Sequence, residues 1–202
     1  MDPVEILNDE YKSIVEFLDN SSQVSLSSDV SKSFAKIIVL SAASYFEHLI
    51  QAILIEFISR ETGNNTKAIN FFKKKAIGMQ YHTYFSWGEK DNPDKPGKNA
   101  NTFFALFGDD FKKSVETEIK SNPILREADT TLGKPKITLE EAVKAFLEVG
   151  HLRNILVHSN FAAYNLQNKT PKEVYELYQK GLPFIDYIKS KLEENDKADK
   201  LP

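Results

Sequence analysis

The chain has 202 residues, 41% of them hydrophobic and 27% charged, the balance of an ordinary soluble globular protein with one large core. Its formal charge of -3 excludes an overall positive field, so any contact with nucleic acid has to come from a local patch. It has no cysteine, which excludes disulfides, thiolate metal sites and a cysteine nucleophile, and suits a reducing, cytoplasmic setting.

The N-terminal stretch MDPVEILNDEYK is acidic and lacks the basic-then-apolar order of a secretory leader. Asp2-Pro3-Val4-Glu5 combines a capping side chain, proline at the first helical position and a carboxylate that reaches back, so a helix is expected over residues 3–20. A long helix is expected over 29–62, ending at Gly63. Its apolar run from Ile37 to Ile58 is long enough to span a bilayer, but Glu47, His48, Gln51 and Glu56 interrupt it. It reads as a buried helix, with no membrane contact.

A shorter helix over 65–76 carries Phe71-Phe72-Lys73-Lys74-Lys75. Lys73, Lys74 and Lys75 are candidate substrate-side phosphate contacts, or one solvated face. The polar stretch 88–101 is a loop, flanked by Tyr81, His82, Tyr84, Phe85 and Trp87. With Phe103 and Phe104 these rings could stack on unpaired bases or anchor the loop to the core.

A single helix is expected over 101–121, before Pro123. Thr138-Leu139-Glu140-Glu141 and Thr170-Pro171-Lys172-Glu173 repeat the capping pattern and start helices over 139–158 and 171–194. No segment alternates as a strand does, so the fold class is all-α, a single-domain helical bundle over 1–194 with a charged, flexible tail at 195–202.

The helix that starts at Thr138 holds the anomaly. At about 100° per residue, Ala142, Ala145, Phe146, Val149, Leu152, Leu156 and Val157 share one arc. Arg153, one of only three arginines, falls within it. A charge aimed into a core needs a partner, and Glu47 projects from the long helix on the same side as Leu40, Leu54 and Ile58. If the two meet in a dry core, removing Glu47 costs more than about 2 kcal/mol.

Asn154 and His158 lie four apart and share a different side near the helix end, where an imidazole can exchange protons at neutral pH. Gly150 lies between that side and the core arc, and a mid-helix glycine suits the close approach of another helix. His151 is two turns from His158, about 10.5 Å along the axis, too far for both to ligate one metal. No metal or other cofactor is expected.

Arg153-Asn154-Ile155-Leu156-Val157-His158 resembles the RNxxxH motif of HEPN domains, and with SAASYFEHLIQAIL around Glu47 the chain is similar to the RiboL-PSP-type branch. The resemblance implies a helical bundle that pairs about a two-fold axis with its motifs face to face. It also implies metal-independent endoribonuclease activity in a toxin–antitoxin or antiviral defence setting. His158 would then transfer protons, Arg153 stabilise phosphate charge, and Asn154 orient the histidine or the substrate. Glu47 would position Arg153, and His151 would be a substrate-side auxiliary. The partners implied are RNA, a second copy of the chain, and an antitoxin or nucleotidyltransferase. The alternative is a non-catalytic helical dimer that binds a protein, an RNA or a nucleotide. Whether Arg153 faces its own core or a dimer cleft stays open in the sequence.

Overall fold

The computed structural model describes residues 2–72, 97–105, 107–129, 131, 135–159, 164–166 and 168–198. Among these, seven helices and one small ladder of strands make an all-α fold. The expected lysine run 73–75 and the aromatic residues at 81–87 lie outside the described residues.

Helix α1 (Pro3–Asn20) begins as its capping chemistry requires: the Asp2 carboxylate accepts from the backbone N–H of Val4 and Glu5, and Glu5 accepts from the N–H of Asp2. Helix α2 (Val24–Glu61) starts five residues earlier than the sequence suggested, because the turn before it closes at Ser22, with φ 60°, and no capping side chain marks the start. Gly63, at φ 57°, takes the left-handed conformation just beyond its end. Helix α3 (Thr66–Phe72) follows.

The helix expected over 101–121 is two helices, α4 (Lys98–Ala105) and α5 (Asp109–Ser121). Gly108 breaks the run at φ 103°, a conformation that a side chain rarely adopts. The loop expected over 88–101 therefore gives way to helix at Lys98. Phe103 and Phe104 are buried and pack with Phe184, so they belong to the core rather than to a base-stacking surface.

Asn122 closes α5 in the left-handed region at φ 46°, its N–H donating to Glu118. Two short antiparallel strands follow, β1 (Ile124–Arg126) and β2 (Ile137–Thr138). Helix α6 (Leu139–His158) starts on a Thr138/Glu141 capping box, and the Oδ1 of Asn122 accepts from the N–H of Glu140 at 3.0 Å. Helix α7 (Pro171–Ala198) opens on the matching Thr170/Glu173 pair and extends past residue 194.

The core gathers where α2, α6 and α7 cross. Phe46 of α2 lies 5.0 Å from Phe146 of α6 and 5.5 Å from Tyr178 of α7, ring centre to ring centre. Gly181 makes the crossing this close. A Cβ there would stand 2.8 Å from Cζ of Phe46 and 3.2 Å from the backbone of Phe146. By length and composition α2 is apolar enough to cross a membrane; in the fold it is the central helix, packed against α1, α6 and α7.

Polar links tie α7 to the rest, among them Lys189 to Glu56 of α2 at 3.2 Å. Pro183 lies inside α7 and has no N–H to give to the carbonyl of Gln179, four residues back. Nη1 of Arg126 donates to that carbonyl instead, at 3.2 Å, pinning β1 to α7. On α5, Glu118 accepts from Ser114 at 2.8 Å and Tyr187 at 3.1 Å and meets the Lys191 ammonium at 2.8 Å. Burial works to raise the Glu118 carboxyl, but Lys191 and the hydroxyls outweigh it and hold the group below its ordinary value.

Two outcomes follow. Gly181→Ala is expected to lower stability by about 1–2 kcal/mol, crowding outweighing the better helix propensity of alanine, read as a shift in urea midpoint. Because the Glu118 value is depressed, its contribution is present above the ordinary carboxylate range and is lost as pH falls through the lowered value. Glu118→Gln should therefore show a smaller fall in midpoint than the wild type between about pH 5 and pH 3, with its deficit greatest near neutrality.

Candidate functional site

Five residues of the motif region share α6, and the helix sorts them by depth. The arc that begins with Ala142 is buried through Phe146, Val149, Leu152 and Leu156. Val157, expected in that arc, is 53% exposed although Leu156 beside it is buried, so the packed face narrows toward the end of α6. Gly150, His151, Arg153 and Asn154 are half-buried, and His158 is exposed in that last turn.

Glu47 occupies the matching place on α2. Phe46 points into the aromatic crossing, and the next residue emerges about 100° round the helix, at the edge of the core. Leu40, Leu54 and Ile58, which share its side, are half-buried, while the buried face of α2 is Ile38, Val39, Ala42, Ala43, Phe46 and Ile50.

Nη2 of Arg153 stands 3.9 Å from Oε1 of Glu47, with side chains 22% and 21% exposed. That separation is an ion-pair contact beyond hydrogen-bond length. Sequence periodicity placed the pair in the core; the structure places it at the core's rim, where the guanidinium keeps contact with solvent. An arginine so held is oriented without being locked away.

Arg153 and His158 diverge. Five residues separate them by about 140° around the axis and 7.5 Å along it, so within one chain they address different directions. Asn154 lies one turn before His158 on nearly the same side. Alongside α6, Glu148 meets Lys169 at 3.6 Å, which ties the segment before α7 back to the motif helix.

The profile of the RiboL-PSP-HEPN family matches residues 5–194. The chain belongs to this family. HEPN domains often carry ribonuclease activity. No curated protein and no solved structure matches the chain. In this HEPN domain the motif helix is α6, and its arginine lies 3.9 Å from the acidic residue of the central helix α2.

The pair's exposure fixes its energetic weight. Glu47→Ala is expected to cost less than about 1 kcal/mol, well under the figure for a dry pair, as measured by chemical denaturation. A loss above that range would mean that the carboxylate has a structural part beyond Arg153.

Proposed function

We propose that this HEPN domain is a metal-independent endoribonuclease that acts as a homodimer, with Arg153 and His158 of both copies forming one composite site. The observation that carries this reading is the separation of depths on α6. His158 is exposed one turn beyond Asn154, while Arg153 is oriented by Glu47 at a rim still open to solvent. One copy alone offers one exposed imidazole in that motif, turned away from its arginine. Metal-independent cleavage of RNA needs a base, an acid and a cation, and a two-fold axis doubles what each helix supplies.

In this mechanism the His158 imidazole of one protomer removes the proton of a ribose 2′-hydroxyl. The 2′-oxygen attacks the adjacent phosphorus, and the bond to the 5′-oxygen breaks. The His158 of the partner subunit protonates that leaving oxygen, giving a 2′,3′-cyclic phosphate and a 5′-hydroxyl end. Arg153 stabilises the negative charge that builds on the phosphorane, and Asn154 orients the imidazole or the substrate.

The surface near the motif supports the dimer. Val157 is exposed next to His158, and the α2 strip of Leu40, Leu54 and Ile58 leaves apolar surface half covered. Gly150 would let the two α6 helices approach across the axis, with His151 near the substrate. The biological setting proposed is a cytoplasmic toxin–antitoxin or antiviral defence system, with an antitoxin or nucleotidyltransferase as partner.

The test is cleavage of a mixed-sequence RNA in the presence of EDTA. The wild type is expected to cut, and His158→Ala and Arg153→Ala, both folded by circular dichroism, to lose at least about a hundredfold in rate. Undiminished cutting by His158→Ala would remove the histidine from the reaction. Tight RNA binding without cleavage by the wild type would instead support a non-catalytic binding module. Light scattering at micromolar concentration should give twice the monomer mass.

A further inference from the structure

A second site lies away from the motif, among α1, the β1–β2 pair and the first half of α7. These elements enclose a cavity of about 840 Å³. It shares no lining residue with the Arg153 and His158 region. Its volume falls in the range of small-molecule pockets, about 300–1,000 Å³.

Two of the side chains that line the cavity carry donors without acceptors behind the wall, among the described residues. Arg126 anchors through Nη1 on the Gln179 carbonyl that Pro183 leaves unpaired. Its Nε and Nη2 are shut off from solvent and have no hydrogen-bond partner among the described residues. These two nitrogens form one edge of the guanidinium, the fork that grips an oxyanion side-on. Asn8 adds another: the residue is 2% exposed, and its Nδ2 is likewise unmatched. Buried donors left unmatched are costly, and more so when charged. Burial pushes the Arg126 guanidinium below its ordinary value.

The charge around the cavity runs against that of the whole chain. Lys12, Lys136, Lys172 and Lys180 line it with Arg126. Three carboxylates face them, of which Glu5 and Glu141 are engaged in the capping boxes of α1 and α6 and Glu176 pairs with Lys172 at 4.0 Å. Tyr11, Tyr175, Pro135 and Ile137 supply apolar wall beside this positive end. The lining thus asks for an anionic head rich in acceptors on a partly apolar body.

We propose that this cavity binds a phosphate-bearing small molecule, its phosphate seated on the Nε–Nη2 edge of Arg126 and on Asn8 and its body against Tyr11 and Tyr175. The lysines neutralise the remaining charge. Neither Arg126 nitrogen is open to solvent, so lining side chains move aside as the anion seats. The site holds independently of whether the HEPN motif cuts RNA.

The test is thermal unfolding of the whole chain titrated with sodium phosphate or adenosine monophosphate, against sodium acetate and sodium chloride at matched ionic strength. The wild-type midpoint should rise and saturate with phosphate, and at lower concentration with the nucleotide. Arg126→Lys, which keeps the charge without the fork, should need about tenfold more ligand for half the rise. Arg126→Met should lose the rise, read against the variant's own unliganded midpoint, since methionine also removes the bond to the Gln179 carbonyl. Equal rises in all three proteins, or none in the wild type at tens of millimolar phosphate, would overturn the proposal. A rise as large with acetate would overturn the phosphate assignment.

Discussion

The position of every residue in the motif region depends on one crossing, where Phe46, Phe146 and Tyr178 stack beside a glycine. Gly181 lets α7 approach so closely that a Cβ there would press on the Phe46 ring at 2.8 Å and crowd the backbone of Phe146 at 3.2 Å. Once that contact is made, the helices cannot rotate about their axes without driving a ring into a backbone, since interiors are close-packed. Glu47 follows Phe46 by one residue, and Arg153 follows Phe146 by two turns. The ion pair at the rim is therefore set by aromatic packing beneath it, and electrostatics adds only the final orientation.

Depth, rather than direction, is what the sequence withheld. A helical wheel assigned Arg153 and Glu47 to facing sides, and they do face each other at 3.9 Å. It could not say where the neighbouring layers stop, so Arg153 looked buried and Val157 looked like core. The capping boxes at Asp2, Thr138 and Thr170 were legible because their chemistry spans four consecutive residues. The break at Gly108 was less so, although a glycine followed by two aspartates is a helix start in its own right. The β1–β2 ladder was hidden because its strands are too short to show alternation. The cavity was hidden for a different reason: Arg126, Asn8 and Pro183 are far apart in the chain, and only the tertiary fold brings them to one place.

The two arginines show how one side-chain type divides its labour according to what surrounds it. Arg153 has a carboxylate at ion-pair distance and partial contact with water, so its charge is balanced yet reachable. Arg126 has a neutral carbonyl on one nitrogen and, among the described residues, no matched acceptor on two others. The same side chain thus meets an opposite charge at one place and a neutral dipole at the other. A chain whose formal charge is -3 thus keeps its positive potential local, in a rim and a cavity.

Asn122 sits between α5 and α6 and answers two demands at once. Its backbone is left-handed, which ends α5, and its side-chain oxygen holds the first turn of α6. Glycine would satisfy the first demand but brings no oxygen; serine or threonine would bring the oxygen but strain the backbone. Only asparagine, and less comfortably aspartate, meets both. A substitution at this position therefore disturbs two helix ends at once, although the residue is not in the hydrophobic core and touches neither the motif nor the cavity.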